Sequence, residues 1–346
     1  MKTSLSQKLK KGVKSWEFFL FALLVSEFLI FSIASPKFTM ARMLLSINDI
    51  ISICIISLCV TFVMITGGID IQAGAIVGLT SIVIGVSWQD MGLNIWVAVC
   101  LSVVVAAICG ALSGFFVAYC NVQPMVVTLG GSFLYSGIAL LISNLSATES
   151  YKGISGFPAA FTKIAKFKLF GVIPNQLIIF LIEIIICYFL LHRSKYGRKV
   201  FLVGINKRAA DYSGINSRLV ILSTYVLSAI GASIAGIILT AYLGTAKSDL
   251  GVSFTLPIIT AVVLGGTLST GGKGSIIGTA LAAVVIGVLK FGLPLCFKIS
   301  TQYLDIPVGL LLLVVVIGRA LVGNQKVYAF FKGLKKKKQP KSVEAQ

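Results

Sequence analysis

The chain has 346 residues, of which 57% are hydrophobic and 12% charged, and its formal net charge is +19. Soluble domains carry about 25% charged residues, so this composition excludes an ordinary soluble fold. The mean hydropathy of +0.99 instead predicts a chain that lies mostly inside a lipid bilayer.

Ten apolar stretches approach the length that a helix needs to cross a bilayer. About 20 apolar residues suffice, because a helix rises ~1.5 Å per residue and satisfies its own backbone in lipid. The sequence therefore predicts an all-α, polytopic membrane protein with about ten transmembrane helices. We place the spans at 16–34, 47–65, 73–88, 95–118, 125–143, 172–191, 219–243, 254–268, 276–297 and 303–321.

The first span follows a basic stretch, a pattern shared by signal peptides and by first transmembrane helices. Its apolar part contains Glu27, and no small-residue cleavage site precedes Ser35 and Pro36. We therefore expect an uncleaved helix.

The third and eighth spans are short and rich in Gly and Thr, so we expect either of them to be broken or re-entrant. The pair Gly67-Gly68 followed by the segment 74–78, which begins and ends with Gly, is echoed by Gly265-Gly266 followed by the segment 274–278, which does the same. Both sets lead into an apolar helix. An internal duplication would explain this echo, and repeated halves build the central pathway of many transporters. The alternative is that glycine-rich helices look alike because small residues allow close packing.

The segment 265–275 also imitates a phosphate-binding P-loop. Counted back from Lys273, the position of the motif's first glycine is occupied by Thr267. The position of the Ser or Thr that binds magnesium is occupied by Gly274. No strand is expected before it. A tight turn explains these glycines better, so we expect no nucleotide and no other cofactor.

Basic residues mark which loops face the cytoplasm, because short cytoplasmic loops are enriched in Lys and Arg. They concentrate in the N-terminus (1–15), the loop 192–218 and the tail (323–346). With ten spans all three lie on one side, and the loop 144–171 lies on the other. We expect both termini to be cytoplasmic and one membrane domain to cover 16–322. The net charge follows from this topology, so no nucleic-acid partner is expected.

The seven cysteines fall inside or at the ends of apolar spans, without CxxC spacing, and the chain has one His. The sequence thus favours buried cysteines acting as small hydrophobes and predicts no metal site. It also predicts no catalytic residues, because no His, Asp or Cys cluster supplies a nucleophile.

Polar residues on or beside the spans are candidates for a substrate pathway, because a hydroxylated ligand must exchange water for protein partners. Each of them is equally suited to cap a helix or to bond within the packing. Asp70 is the strongest candidate, since it follows the glycine pair at an expected break. The set is Asp70, Gln72, Asn48, Asn121, Gln123, Thr128, Ser132 and Tyr135.

Glu183 and Lys290 are charged residues deep in apolar runs. Opposite charges in a membrane usually find partners, so we expect the two to form an intramembrane ion pair.

Several segments resemble the permease subunits of bacterial ABC importers for ribose and related sugars. The stretches that carry this resemblance are 67–71, 124–130, 196–215 and 261–266. Two further stretches, 156–162 and 242–251, are similar to the D-type permeases of autoinducer-2 (Lsr) importers. The resemblance covers about residues 15 to 322.

The resemblance implies a multi-pass protein of the bacterial inner membrane that imports autoinducer-2, a small polyhydroxylated, furanose-like signal. It also implies three partners: a separate ATP-binding subunit, a second related permease and a periplasmic ligand-binding protein. Ribose or another monosaccharide is the alternative cargo. A secondary sugar transporter is a more distant alternative, because the scattered acidic residues form no chain for ion coupling.

By the same resemblance, the loop 192–218 would transmit ATPase closure to the spans. Residues 206–212 suit a short helix, with Asn206 as N-cap and Gly214 just past its end. The alternative is a basic loop that only anchors the topology. The residues assigned to coupling are Gly204, Asn206, Ala209, Ala210, Ser213 and Gly214.

Overall fold

A computed structural model describes residues 16–149, 151–171 and 173–323. The basic N-terminus and almost all of the tail lie outside the described residues. Thirteen α-helices make up most of this part of the chain. They are α1 Trp16–Ala34, α2 Met40–Ile65, α3 Ala73–Gln89, α4 Ile95–Ala118, α5 Pro124–Leu145, α6 Ala159–Lys166, α7 Asn175–Tyr188, α8 Lys195–Ile205, α9 Lys207–Tyr212, α10 Ser217–Leu243, α11 Thr255–Leu264, α12 Ile276–Phe297 and α13 Asp305–Gly323.

Two small antiparallel ladders complete the described secondary structure. β1 (Ile154–Ser155) pairs with β4 (Thr245–Ala246), and β2 (Lys168–Leu169) pairs with β3 (Ile173–Pro174). Each strand has two residues, so the all-α prediction is confirmed.

Each of the ten predicted spans corresponds to a helix. Within the described ranges, six helices are long and apolar enough to cross a membrane: α1, α4, α5, α7 with the π-helical turn Phe189–Arg193 that extends it, α10 and α12. Shorter apolar helices occur at Ile50–Ile65, Ala73–Gln89, Thr255–Leu264 and Asp305–Ile317. Together they form the bundle of a multi-pass membrane protein.

The centre of the bundle is formed by α2, α3 and α10. Every residue from 51 to 65 in α2 is buried, and α10 packs against α2, α3 and α4. The outer helices α1, α5 and α7 instead turn large apolar side chains outward, as lipid-facing surfaces require.

The two ends of the bundle are distinct. α8 and α9 lie at one end, which we call the loop end. There the carbonyl of Ile65, the last residue of α2, accepts a 2.8 Å hydrogen bond from the N–H of Gly272. The indole N–H of Trp16 donates to the Leu264 carbonyl at 2.7 Å, which places the start of α1 at this end. The β1–β4 pair lies at the opposite end, where Gly85 of α3 packs against Ala246.

Two non-helical segments let α3 and α11 begin inside the bundle. Residues 66–72, which we call the break, leave the loop end and bring Asp70 to Ser228, near the middle of α10. Residues 247–254 come from the opposite end and pass along α3. The third and eighth spans are thus short helices of 17 and 10 residues, and their re-entrant character stays a prediction.

The two non-helical segments cross close to the start of α3. The Thr255 hydroxyl donates to the Ile71 carbonyl at 3.3 Å. A Cβ on Gly74 would overlap the carbonyl of Gly251, and Gly251 has a φ of +89°. Glycine is needed at both positions because backbone meets backbone here. We call this place the crossing.

The internal duplication stays a prediction. Gly67 and Gly266 end their helices with the same hydrogen bonds, since each N–H reaches a carbonyl three residues back. The helices that follow differ, because α3 has 17 residues and α12 has 22. The pair that shares a short helix after a non-helical segment is α3 and α11.

Candidate functional site

Asp70 lies at the crossing and is 2% exposed. Its Oδ2 accepts a 2.6 Å hydrogen bond from the Ser228 hydroxyl, and its Oδ1 accepts one of 3.1 Å from the N–H of Gln72. The second bond is a local turn that short Asp side chains favour. The carboxylate therefore holds the break in shape and ties it to α10.

Gln72 begins a buried chain of polar groups that joins three helices. Its Oε1 accepts a 2.6 Å bond from the Ser113 hydroxyl of α4, which lies 3.1 Å from the Tyr135 hydroxyl of α5. Tyr135 also donates to the Cys109 carbonyl at 2.9 Å. Nε2 of Gln72 has no partner among the described residues. Gly131 leaves room for this amide, because a Cβ there would overlap Oε1.

Thr128 fixes the break to the start of α5. Its hydroxyl donates to the Ile69 carbonyl and to the Pro124 carbonyl, both at 3.0 Å. Proline at the first turn of α5 costs the helix nothing, because that turn has no intrahelical use for its N–H. Four of the predicted pathway residues thus lie together, namely Asp70, Gln72, Thr128 and Tyr135. We call these four, with Ser113 and Ser228, the cluster.

A cavity of about 210 Å³ leads from the loop end toward this cluster. Drug-sized ligands occupy pockets of about 300 Å³ or more, so this one suits a small ligand. Tyr225 lines it, and its hydroxyl is fully buried and has no partner within the described part of the chain. The lining residues include Thr66, Gly67, Gly68, Asn121, Gln123 and Lys207.

Asn121 and Gln123, two more predicted pathway residues, line the cavity and do not belong to the cluster. Lys207 of α9 donates a 3.2 Å hydrogen bond to Oδ1 of Asn121, which has a φ of +53°. The mouth of the cavity is therefore bridged to the loop.

Two predicted pathway residues lie apart from the cluster. Asn48 is buried, and its Oδ1 has no partner in the described ranges. It precedes Ile65 by more than four helical turns, which carries it toward the opposite end. Ser132 is half-buried on α5 and makes no hydrogen bond to the cluster within the described residues.

The predicted ion pair between Glu183 and Lys290 is wrong. Lys290 Nζ lies 3.5 Å from Oδ1 of Asp305, at the start of α13. Glu183 is turned from α7 toward α2, where its Oε1 accepts a 3.4 Å hydrogen bond from the Cys59 thiol. The two charges face different neighbours, so each has a different partner.

The predicted short helix in the loop is confirmed as α9. Asn206 caps it, with Oδ1 accepting from the Ala209 N–H at 3.1 Å. Gly214 follows the helix with a φ of +78°, and the Ser213 hydroxyl donates to the Ala209 carbonyl at 2.9 Å. Ala209 is exposed, whereas Ala210 is buried. The sequence did not predict the preceding helix α8.

Gly204, near the end of α8, connects the loop to the break. A Cβ at this position would overlap the carbonyl of Ile65 and lie 2.7 Å from the N–H nitrogen of Gly272. The loop therefore packs against the backbone of Ile65, five residues before Asp70.

Sequence reasoning missed Ser113, Ser228 and Tyr225, which complete the cluster and the cavity. Single hydroxyl residues are common in apolar helices, and only the packing shows which of them meet. It also missed that Cys59, Glu183 and Cys187 come together, because Cys59 and Glu183 lie 124 positions apart.

No solved structure matches this chain. It is 43% identical over 307 residues to the Autoinducer 2 import system permease protein LsrD of Photorhabdus laumondii, covering 88% of this chain and 91% of the relative. The proteins of the same name from Photorhabdus luminescens and Yersinia pseudotuberculosis have the same identity and coverage. Residues 42–316 match the family model described as branched-chain amino acid transport system, permease component. The chain therefore belongs to this family of transport-system permeases.

Proposed function

We propose that the chain is a transmembrane permease subunit of a bacterial ABC importer and forms part of the pathway for autoinducer-2 uptake. One observation carries the proposal. The chain is 43% identical, over 88% of its length, to permeases named for autoinducer-2 import. The family match covers residues 42–316 and so includes the crossing and the loop.

The geometry supports a small polar cargo. A hydroxylated molecule loses its water in the bundle and needs hydrogen-bonding groups in return. The cavity offers the unpaired Tyr225 hydroxyl, and the cluster beyond it offers the unpaired Nε2 of Gln72. Both groups are buried, so a hydrogen-bonding partner from the cargo would offset the free-energy cost of burying them unpaired.

The partners in this proposal are an ATP-binding subunit, a second homologous permease and a periplasmic ligand-binding protein. The short helix α9 is the proposed contact with the ATP-binding subunit, because it projects an exposed face that includes Ala209 and Tyr212. Gly204 and Ile65 would carry a movement of this helix to the crossing. Rigid-body transmission of this kind is a common switching device.

The proposed orientation puts the loop end in the cytoplasm of a bacterial inner membrane. Trp16 lies at this end, and so does the basic loop 192–218, in agreement with the enrichment of Lys and Arg on that side. Both termini would then be cytoplasmic. The cavity beside Lys207 would open toward the cytoplasm and serve as the exit.

The experiment is clearance of autoinducer-2 from culture medium by cells that lack the gene, with ribose uptake measured in parallel. Loss of autoinducer-2 clearance alone, restored by the gene on a plasmid, is the expected result. Loss of ribose uptake alone would replace the cargo by a monosaccharide. Normal clearance and normal ribose uptake would contradict the proposed import function.

A further inference from the structure

Two thiols and one carboxyl group come together inside the bundle, away from the crossing. Sγ of Cys59, a carboxylate oxygen of Glu183 and Sγ of Cys187 all lie within 4.8 Å of one another. The three residues are 4%, 8% and 3% exposed. The group is therefore dry, and none of its members belongs to the proposed pathway.

The helices hold these three groups in place. Glu183 and Cys187 are four residues apart on α7 and so lie on one face of that helix. Cys59 faces them from α2, and Gly231 of α10 closes the space behind it, since a Cβ there would be 2.5 Å from the thiol. The donor atoms thus come from two helices whose packing is already fixed.

The carboxylate of Glu183 is only partly satisfied. Oε1 accepts the 3.4 Å hydrogen bond from Cys59, whereas Oε2 is buried and has no partner among the described residues. Burying a carboxyl group without a partner is costly. The unpaired Oε2 could be satisfied by a proton on the carboxyl group or by a bound cation. This observation is separate from the short distance between the two thiols.

We propose that Cys59, Glu183 and Cys187 bind a thiophilic divalent cation of the zinc class. Thiolates and carboxyl oxygens are both among the ligands that such ions accept, whereas hard cations such as Mg²⁺ prefer oxygen alone. Three protein ligands leave a fourth position for water, as in exchangeable zinc sites.

The charges balance without any other residue. A divalent ion that displaces the protons of both thiols leaves the site neutral, and Glu183 keeps its proton and binds through its carbonyl oxygen. The two protons go to solvent, and no redox change is involved. Neutrality matters because a net charge in the bilayer interior is expensive.

Occupancy would clamp α2 to α7. Ile65, the last residue of α2, supports both the break and the loop, so a clamped α2 should resist any rearrangement at the crossing. The site would then act as an inhibitory one, and this consequence alone rests on the proposed import function.

The test measures binding directly, on the full chain in detergent. The exposed or half-buried Cys100, Cys120 and Cys296 are first replaced by serine to remove background thiols. Cd²⁺ is titrated while its thiolate charge-transfer absorption is recorded, and zinc content is measured in protein from zinc-supplemented cells. We expect about one ion per chain.

The variants distinguish a metal site from a packing contact. Cys59→Ser keeps a hydroxyl that can donate to Glu183, yet it should weaken Cd²⁺ binding at least about 100-fold, since even outer-shell changes cost 10- to 100-fold. Cys187→Ser should do the same. Cys109→Ser, a buried cysteine on α4, should leave binding unchanged. The proposal is overturned if neither metal binds the parent protein, or if the Cys59 and Cys187 variants bind as the parent does.

Discussion

The Ser228 hydroxyl donates a 2.6 Å hydrogen bond to Oδ2 of Asp70 and so joins the middle of α10 to the break between α2 and α3. α10 is also the helix that follows the loop, because it begins at Ser217, five residues after α9 ends. The loop thus reaches Asp70 by two routes, through α10 and through Gly204 and Ile65.

Replacing Asp70 by alanine should destabilise the protein and abolish uptake. The Ser228 hydroxyl and the Gln72 N–H would lose their acceptor in a dry interior, at about 1–3 kcal/mol each. Asp70→Asn keeps one acceptor oxygen and should retain part of both properties. Thermal unfolding in detergent and uptake in cells check this. Glu149→Ala, in an exposed ion pair, is the control. An Asp70→Ala variant with full uptake would refute a role at the crossing.

Replacing Gln72 by leucine should separate function from stability. The change removes the unpaired Nε2 but also the acceptor of the Ser113 hydroxyl, which can turn to the Tyr135 oxygen 3.1 Å away. We therefore expect the two effects to offset to within about 1 kcal/mol of the free energy of unfolding. Uptake should fall at least tenfold, about 1.4 kcal/mol, because the cargo loses a hydrogen-bonding partner.

Gln176 provides the matched control for Gln72. It is also fully buried, and both of its amide atoms are unpaired within the described residues, but it lies at the start of α7. Gln176→Leu should leave uptake unchanged. Equal losses of uptake in the two variants would show that buried amides matter only for packing.

Gly204→Ala should weaken the connection between the loop and the break. The new Cβ would press on backbone atoms of Ile65 and Gly272, which cannot rotate away, and overpacking typically costs about 1–3 kcal/mol. Gly137→Ala is the control, because nothing lies within 4 Å of a Cβ there. Unfolding temperature and uptake are the measurements. A Gly204→Ala protein as stable and active as the parent would contradict the contact.

Ala209 and Ala210 should respond differently to a bulky charged residue. Ala209 is exposed on α9, so Ala209→Arg should block uptake while membrane insertion and unfolding temperature stay normal. Ala210 is buried, so Ala210→Arg should also lower the unfolding temperature. Copurification with the ATP-binding subunit reports on docking. Normal uptake with Ala209→Arg would argue that this face of α9 docks nothing.

The apolar helices of the bundle could be predicted because lipid dictates length and apolarity. The break before α3 was also predictable, since Gly67 and Gly68 precede an acid that lipid disfavours. The partner of Glu183 could not be predicted, because it depends on which helix packs against that face of α7. That partner is a cysteine 124 positions away. Helix α8 escaped prediction because its apolar and basic residues are mixed, as in a loop.

The meeting of α3 and α11 near Asp70 also has an electrostatic consequence. Each helix carries roughly +0.5 elementary charge at its N-terminus, so the two starts together offset about one negative charge. Asp70 supplies that charge, with no lysine or arginine beside it among its described hydrogen-bond partners. The backbone dipoles thereby offset the charge of Asp70. An uncharged molecule could pass through the middle of the bundle without carrying an ion along.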